Sequence, residues 1–195
     1  MARKTQSNNI RKITYLAVMT ALVIVLQHLG QFIRFGQFSV SLVLAPIVLG
    51  AVIAGYYGGF WLGAVFGVAV IMTGDANLFF AVSVPGTVIT VMLKGILCGL
   101  AAALIYKLFS RFNKYFAVFF AAVICPIVNT GVFLLGCVAF FMEPVTAWAG
   151  SQNVVSYMFL GLAGGNFLFE LAFNIFLCPV IIRLINILPK SVSYE

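Results

Sequence analysis

The stretch Asn166-Phe-Leu-Phe-Glu170-Leu-Ala-Phe-Asn174 decides how this chain is read. It lies inside an apolar run over 154–182. A helix of about 20 apolar residues crosses the hydrocarbon core of a bilayer, so this run is long enough to span one. Asn166, Glu170 and Asn174 stand at i, i+4 and i+8, a spacing that stacks them on one face of a helix. Phe167, Leu168, Leu171, Phe173 and Ile175 fill the rest of the circumference. A charged side chain at mid-bilayer costs about 2.5–3.5 kcal/mol on insertion scales, so this stripe should face protein, a cavity or a ligand rather than lipid. The plainer alternative is a buried ion pair or a helix-packing contact, because polar groups also hold membrane helices together.

Composition extends that reading to the whole chain. Of its 195 residues 64% are hydrophobic and 8% charged, against about 25% charged in ordinary soluble domains. The expected fold is an all-α polytopic membrane protein with six transmembrane helices. The formal net charge of +7 would suit nucleic acid if it were spread out, but it is not. Arg3, Lys4, Arg11 and Lys12 precede the first apolar run, Lys107, Arg111 and Lys114 lie between two runs, and Arg183 and Lys190 close the chain. Six spans put all of these on one side, with Arg34 alone on the other and Lys94 within a span. The positive-inside rule then places both termini in the cytoplasm of a multi-pass membrane protein. No small-residue cleavage site follows the first apolar run, so that run is expected to stay as a span. Cys98, Cys125, Cys137 and Cys178 all fall in apolar runs without metal-type spacing and read as small packing residues.

In order, 1–12 reads as a basic cytoplasmic tail, 13–188 as one membrane domain and 189–195 as a second cytoplasmic tail. The first span covers 13–33 and carries Ala17-x-x-x-Ala21, a small-residue pair that lets another helix approach. A short turn at Arg34-Phe-Gly-Gln leads to a second span over 38–54 with Pro46 inside it. A tight connection at Gly55-Tyr-Tyr-Gly-Gly59 leads to a third span ending near Thr73. These two are short, and a re-entrant hairpin is the alternative. Gly55, Gly59, Gly63 and Gly67 recur every four residues, giving a glycine face suited to close packing, either within the monomer or against a partner. The segment 74–85 is an aromatic, weakly polar loop placed to cover a pocket mouth.

The fourth span covers 86–106. Thr87, Thr90 and Lys94 share one of its faces, and Lys94 is too central to snorkel to the interface, so it should point inward. The fifth covers 115–142 with Pro126 inside it and Asn129 and Thr130 a turn later. Asn129 either satisfies the carbonyl that a helical proline frees or contacts a ligand. The loop 143–156 carries Trp148, read as an interfacial belt residue, with Gln152 and Asn153.

Enzyme chemistry is hard to assemble from these residues. There is no Gly-x-x-x-x-Gly-Lys-[Ser/Thr] phosphate loop and no Gly-x-Ser-x-Gly elbow. The single histidine, His28, has no zinc-ligand neighbour. Of four acidic residues, Glu195 is terminal, and Asp75 and Glu143 fall in outward loops, so no carboxylate pair is available for acid–base work. No enzymatic activity, cofactor or metal is expected. What does assemble is a substrate-binding ring of Lys94, Asn129, Asn166, Glu170, Asn174, Thr87 and Thr90 from the last three spans, roofed by outward loops. A few convergent polar groups in an apolar cavity are the usual form of a small-molecule site. Both signs of charge, with amides, suit a polar or zwitterionic ligand. The competing view is that Lys94 and Glu170 neutralise each other and hold nothing.

Six spans, Ala17-x-x-x-Ala21, and the segment Ser41-Leu-Val-Leu-Ala-Pro46-Ile-Val-Leu-Gly50-Ala-Val-Ile-Ala-Gly55 followed by Gly59-x-x-x-Gly63-x-x-x-Gly67 resemble the substrate-binding S components of energy-coupling factor (ECF) vitamin transporters. The similarity covers nearly the whole chain after Lys12. It implies six helices with cytoplasmic termini and one water-soluble vitamin or related metabolite bound near the outer face by the later helices. It also implies a separate coupling membrane subunit and two ATPase subunits, with Ala17 and Ala21 on the surface that meets the coupling subunit. Two features depart from the pattern. Many relatives have Gly-Pro where this chain has Gly55-Tyr56, and no residue set matches one vitamin-specific subfamily. Two other functions are weighed beside this one. A self-sufficient ion-coupled carrier would use Glu170 as a proton or sodium site, but no internal repeat of the kind many such carriers show is evident. A packing or assembly protein would use the glycine face alone.

Overall fold

The computed structural model describes residues 2–35, 38–39 and 41–187. The expected tail 189–195, and part of the turn after Arg34, lie outside the described residues. The described chain is almost entirely helical. Helix α1 (Ala2–Gly30) is followed by two-residue strands β1 (Arg34–Phe35) and β2 (Phe38–Ser39), which pair antiparallel with Arg34 opposite Ser39. Then come α2 (Leu44–Thr73), α3 (Asn77–Phe80), α4 (Val84–Ser110), α5 (Lys114–Phe140), α6 (Met142–Ala149), the short α7 (Val154–Ser156), a π-helical stretch Tyr157–Gly164, and α8 (Gly165–Ile187).

Among the described residues, five helical segments are long and apolar enough to cross a membrane: Ile10–Gly30, Leu44–Thr73, Val84–Ser110, Lys114–Phe140 and Val154–Ile187. The difference from six comes from α2. Gly55 interrupts it with φ 61 and ψ −141, a backbone conformation that favours glycine. The chain reverses there: a Cβ on Gly50 would collide with Leu62, and one on Gly58 would collide with the Gly50 carbonyl. In an unbroken helix residues 50 and 62 would stand about 18 Å apart. The expected second and third spans are therefore two legs of one broken helix. The first leg, 44–54, rises only about 16 Å, too little for a bilayer core of about 30 Å. It is buried on every side: Leu44, Ile47, Val48, Ala51 and Val52 have no exposed surface. An all-round apolar helix belongs at the centre of a bundle, and α2 packs on α1, α4, α5 and α8. The span expected to begin at 38 starts instead at Leu44, because 38–39 belong to the strand ladder.

The second leg docks on α4 through the glycines. A Cβ on Gly59 would strike the Gly99 carbonyl, and one on Gly63 the Gly95 carbonyl; the collisions are reciprocal for side chains on Gly99 and Gly95. The face left open between internal packing and a partner is thus used inside the monomer, where α4 supplies its own Gly95-x-x-x-Gly99. Lys107 Nζ lies 5.3 Å from the Tyr56 ring centroid, which puts the Gly55 reversal at the basic end of the bundle. Lys114 reaches Asn186 at that same end, Nζ to Oδ1 2.7 Å.

Helix ends follow local chemistry. Ser83 caps α4 by accepting from the Gly86 N–H, with a proline in the first turn. Asn113 caps α5 through the Tyr115 N–H. Gly74, in the left-handed region, closes α2. At its start α1 runs back to Ala2 through the expected basic tail, since no Gly or Pro stands before Gly30 to end it. All four cysteines are buried and free.

Candidate functional site

Glu170 is buried at 4% exposure on α8, between one and two turns beyond the π-helical stretch. The connection after β2 comes to it: the Ser41 backbone N–H donates to Glu170 Oε1 at 3.0 Å. Asn129 of α5 donates from Nδ2 to Oε2 at 3.4 Å. Both carboxyl oxygens are thus held by protein donors from two other parts of the chain.

Around this carboxyl group lies a cavity of about 660 Å³ of empty space, counting its open mouth. Six of the seven expected ring residues line it: Lys94, Asn129, Asn166, Glu170, Thr87 and Thr90. Its polar groups come from α4, α5, α8, β2 with the connection into α2, and the α2–α3 connection, so no single span builds it. Lys94 lies between rings, its Nζ 5.4 Å from the Phe66 centroid and 5.7 Å from that of Phe133. Cation–π contacts of this kind contribute about 0.5–2 kcal/mol. Lys94 forms no direct salt bridge with Glu170, though the two charges attract each other across the cavity. Thr87 gives its hydroxyl to the Ser83 carbonyl at 2.7 Å. Thr90 is 4% exposed, packs on Gly136, and its Oγ1 has no hydrogen-bond partner.

Asn174 is the exception. It is 1% exposed and lies outside the cavity, where its Nδ2 donates to the Ala122 carbonyl at 3.2 Å. Ala122 stands four residues before Pro126, so its carbonyl is the one that proline deprives of a helical N–H. In lipid no water can replace that bond, and a neighbouring helix has to. The role weighed for Asn129 is filled by Asn174, and Asn129 turns to the carboxyl group instead.

The roof is aromatic. Phe79 of α3 packs on Phe141 at 4.7 Å between centroids, and edge-on against Phe133 at 5.6 Å and Trp148 at 5.7 Å. Phe79, Phe133 and Phe141 line the cavity, and Trp148 braces Phe79 from behind. The expectation that 74–85 covers a pocket mouth matches this arrangement, and Trp148 serves the roof. At the rim the Ser39 N–H donates to Asp75 Oδ1 at 3.2 Å. Sequence reasoning did not place Ser39, Ser41 or Asp75 in the site. A backbone N–H has no sequence signature, and Asp75 looked like an ordinary loop acid.

Leu162 and Ala163, the last cavity-lining residues before Asn166, belong to the π-helical stretch. Widened turns of this kind concentrate at functional sites.

A bundle of apolar helices holding a polar chamber, with aromatic segments packed at one end, defines a multi-pass membrane protein. The family model for the ECF transporter, substrate-specific component, matches residues 11–182. The chain belongs to that family, whose members are substrate-binding components of transporters rather than enzymes. A comparison with curated proteins gave no significant match.

Proposed function

We propose that this protein is the capture subunit of an ECF-type importer. It takes a water-soluble vitamin or related metabolite from outside the cell for ATP-driven uptake. A separate coupling membrane subunit and two ATPase subunits supply the movement. The observation that carries this reading is the cavity, in which Lys94, Glu170 and Asn129 converge beneath an aromatic roof at the end opposite Lys107 and Lys114. With the basic end inside, the cavity opens outward and both termini are cytoplasmic. The chain passes six times between the two faces, the second time through the connection before Leu44 together with the buried leg 44–54, which alone is too short to span the core. Residues 1–12 and 189–195 form the cytoplasmic ends of a single membrane domain. The substrate contacts are Lys94, Thr87, Thr90, Asn129, Asn166 and Glu170. Asn174 supports the site from the helix packing below it.

Ala17 and Ala21 are exposed on α1, while Val23, Gln27 and Gly30 form the buried stripe against α2. We place the coupling subunit on the alanine face. Uptake measurements separate this reading from a self-sufficient carrier. The purified chain alone in liposomes, under a proton or sodium gradient, should accumulate no vitamin, and accumulation should need ATP and the partner subunits. Gradient-driven, ATP-independent uptake by the chain alone would overturn the proposal.

A further inference from the structure

We propose that the captured molecule is a monocarboxylate that also carries an N–H or O–H donor, bound with its carboxylate on Lys94 and its donor on Asn129 Oδ1. The inference rests on the capture reading above and narrows it to a chemical class.

Glu170 is engaged at both oxygens, by the Ser41 N–H and the Asn129 amide. A ligand cation would have to compete with those bonds for the same oxygens. Lys94 is in the opposite condition. An ammonium has three donors and no acceptor, yet this one rests between two aromatic rings. No carboxylate of the described residues forms a direct salt bridge with it, and Glu170 attracts it only through space. Ring faces attract a cation but give its N–H groups no oxygen, so a ligand oxyanion is the partner that completes the site.

Asn129 supplies the second recognition element. It is 4% exposed, and with Nδ2 given to Glu170 its Oδ1 has no hydrogen-bond partner. An orphaned amide oxygen accepts and does not donate, so the ligand group that meets it is an N–H or O–H. Asp75 also lines the cavity, with Oδ1 accepting from the Ser39 N–H. Asp75 and Glu170 are acidic and Lys94 is the one basic side chain among the described residues of the lining, so a ligand carboxylate is attracted to Lys94 alone. Phe79 and Phe133 give the body of the ligand an apolar surface.

The test uses the full chain in detergent and probes paired so that only the charged group differs. Pantothenate is compared with pantothenol, and biotin with biotinamide. Riboflavin, pyridoxine and thiamine serve as non-carboxylate probes. Binding is read by calorimetry and by the shift in melting temperature. The expected result is that a carboxylate probe binds and exceeds its neutral partner by about 10- to 100-fold, the worth of one charge-assisted hydrogen bond. Lys94→Met should abolish that preference and Lys94→Arg should retain part of it. The paired comparison on the unaltered chain stands even if a variant fails to fold. Binding of riboflavin, pyridoxine or thiamine in preference to the carboxylates overturns the inference while leaving capture intact. So does an unchanged acid-over-neutral preference in a folded Lys94→Met. Binding of no probe contradicts both the inference and the capture reading.

Discussion

One helical turn separates Glu170 from Asn174, and the two residues serve different purposes. Glu170 ends in the cavity, held by Ser41 and Asn129. Asn174 ends on the carbonyl that Pro126 leaves free. Glu170→Ala should weaken ligand binding by about tenfold or more, and it also frees the buried Ser41 N–H at a cost of about 1–3 kcal/mol. Asn174→Leu should do the reverse. It should lower the melting temperature in detergent, by the same order of free energy for an orphaned carbonyl, and leave the affinity of folded protein within about twofold. Equal loss of binding in both variants would show that the two residues act as one unit. The shared face of Asn166, Glu170 and Asn174 was legible from their spacing. Which of the three reaches the cavity was not, because the answer depends on partners from other helices. Glu170 meets a backbone N–H 129 residues away, and Asn174 meets a carbonyl exposed by a proline on α5.

At the scale of elements, the joint between the second leg of α2 and α4 has no room for side chains. Gly63→Leu or Gly95→Leu would drive a side chain into the opposing backbone, and overpacking of this kind costs about 1–3 kcal/mol or more. Either variant should melt well below the parent in a thermal scan. Gly131→Ala, where a Cβ meets nothing within 4 Å, should melt with it. Gly55→Ala tests the reversal: a non-glycine residue at φ 61 and ψ −141 is strained by about 1–3 kcal/mol, and should lower the melting temperature without touching the cavity. The four-residue glycine period revealed the close-packing face, but not its partner. That partner is a second, two-glycine repeat on α4, which has no meaning until the helices are placed side by side. Hydropathy likewise found the apolar length of 44–73. It did not distinguish two full crossings from a short buried leg and a long one, because both are apolar throughout.

Across the whole molecule, the cavity and the exposed face of α1 lie on different helices, so capture and coupling can be separated. Replacing Ala17 and Ala21 together by Leu should leave affinity unchanged and prevent co-purification with the coupling subunit and ATPases. Retained assembly would move the docking surface elsewhere. The most direct test of the central claim, that the chamber around Lys94 and Glu170 holds a captured solute, is native mass spectrometry of the detergent-purified full chain. A discrete small-molecule adduct of one-to-one stoichiometry is predicted for the parent, and its loss in the folded Lys94→Ala and Glu170→Ala variants. A parent that carries and takes up no small molecule, or variants that keep the adduct in full, would contradict the account.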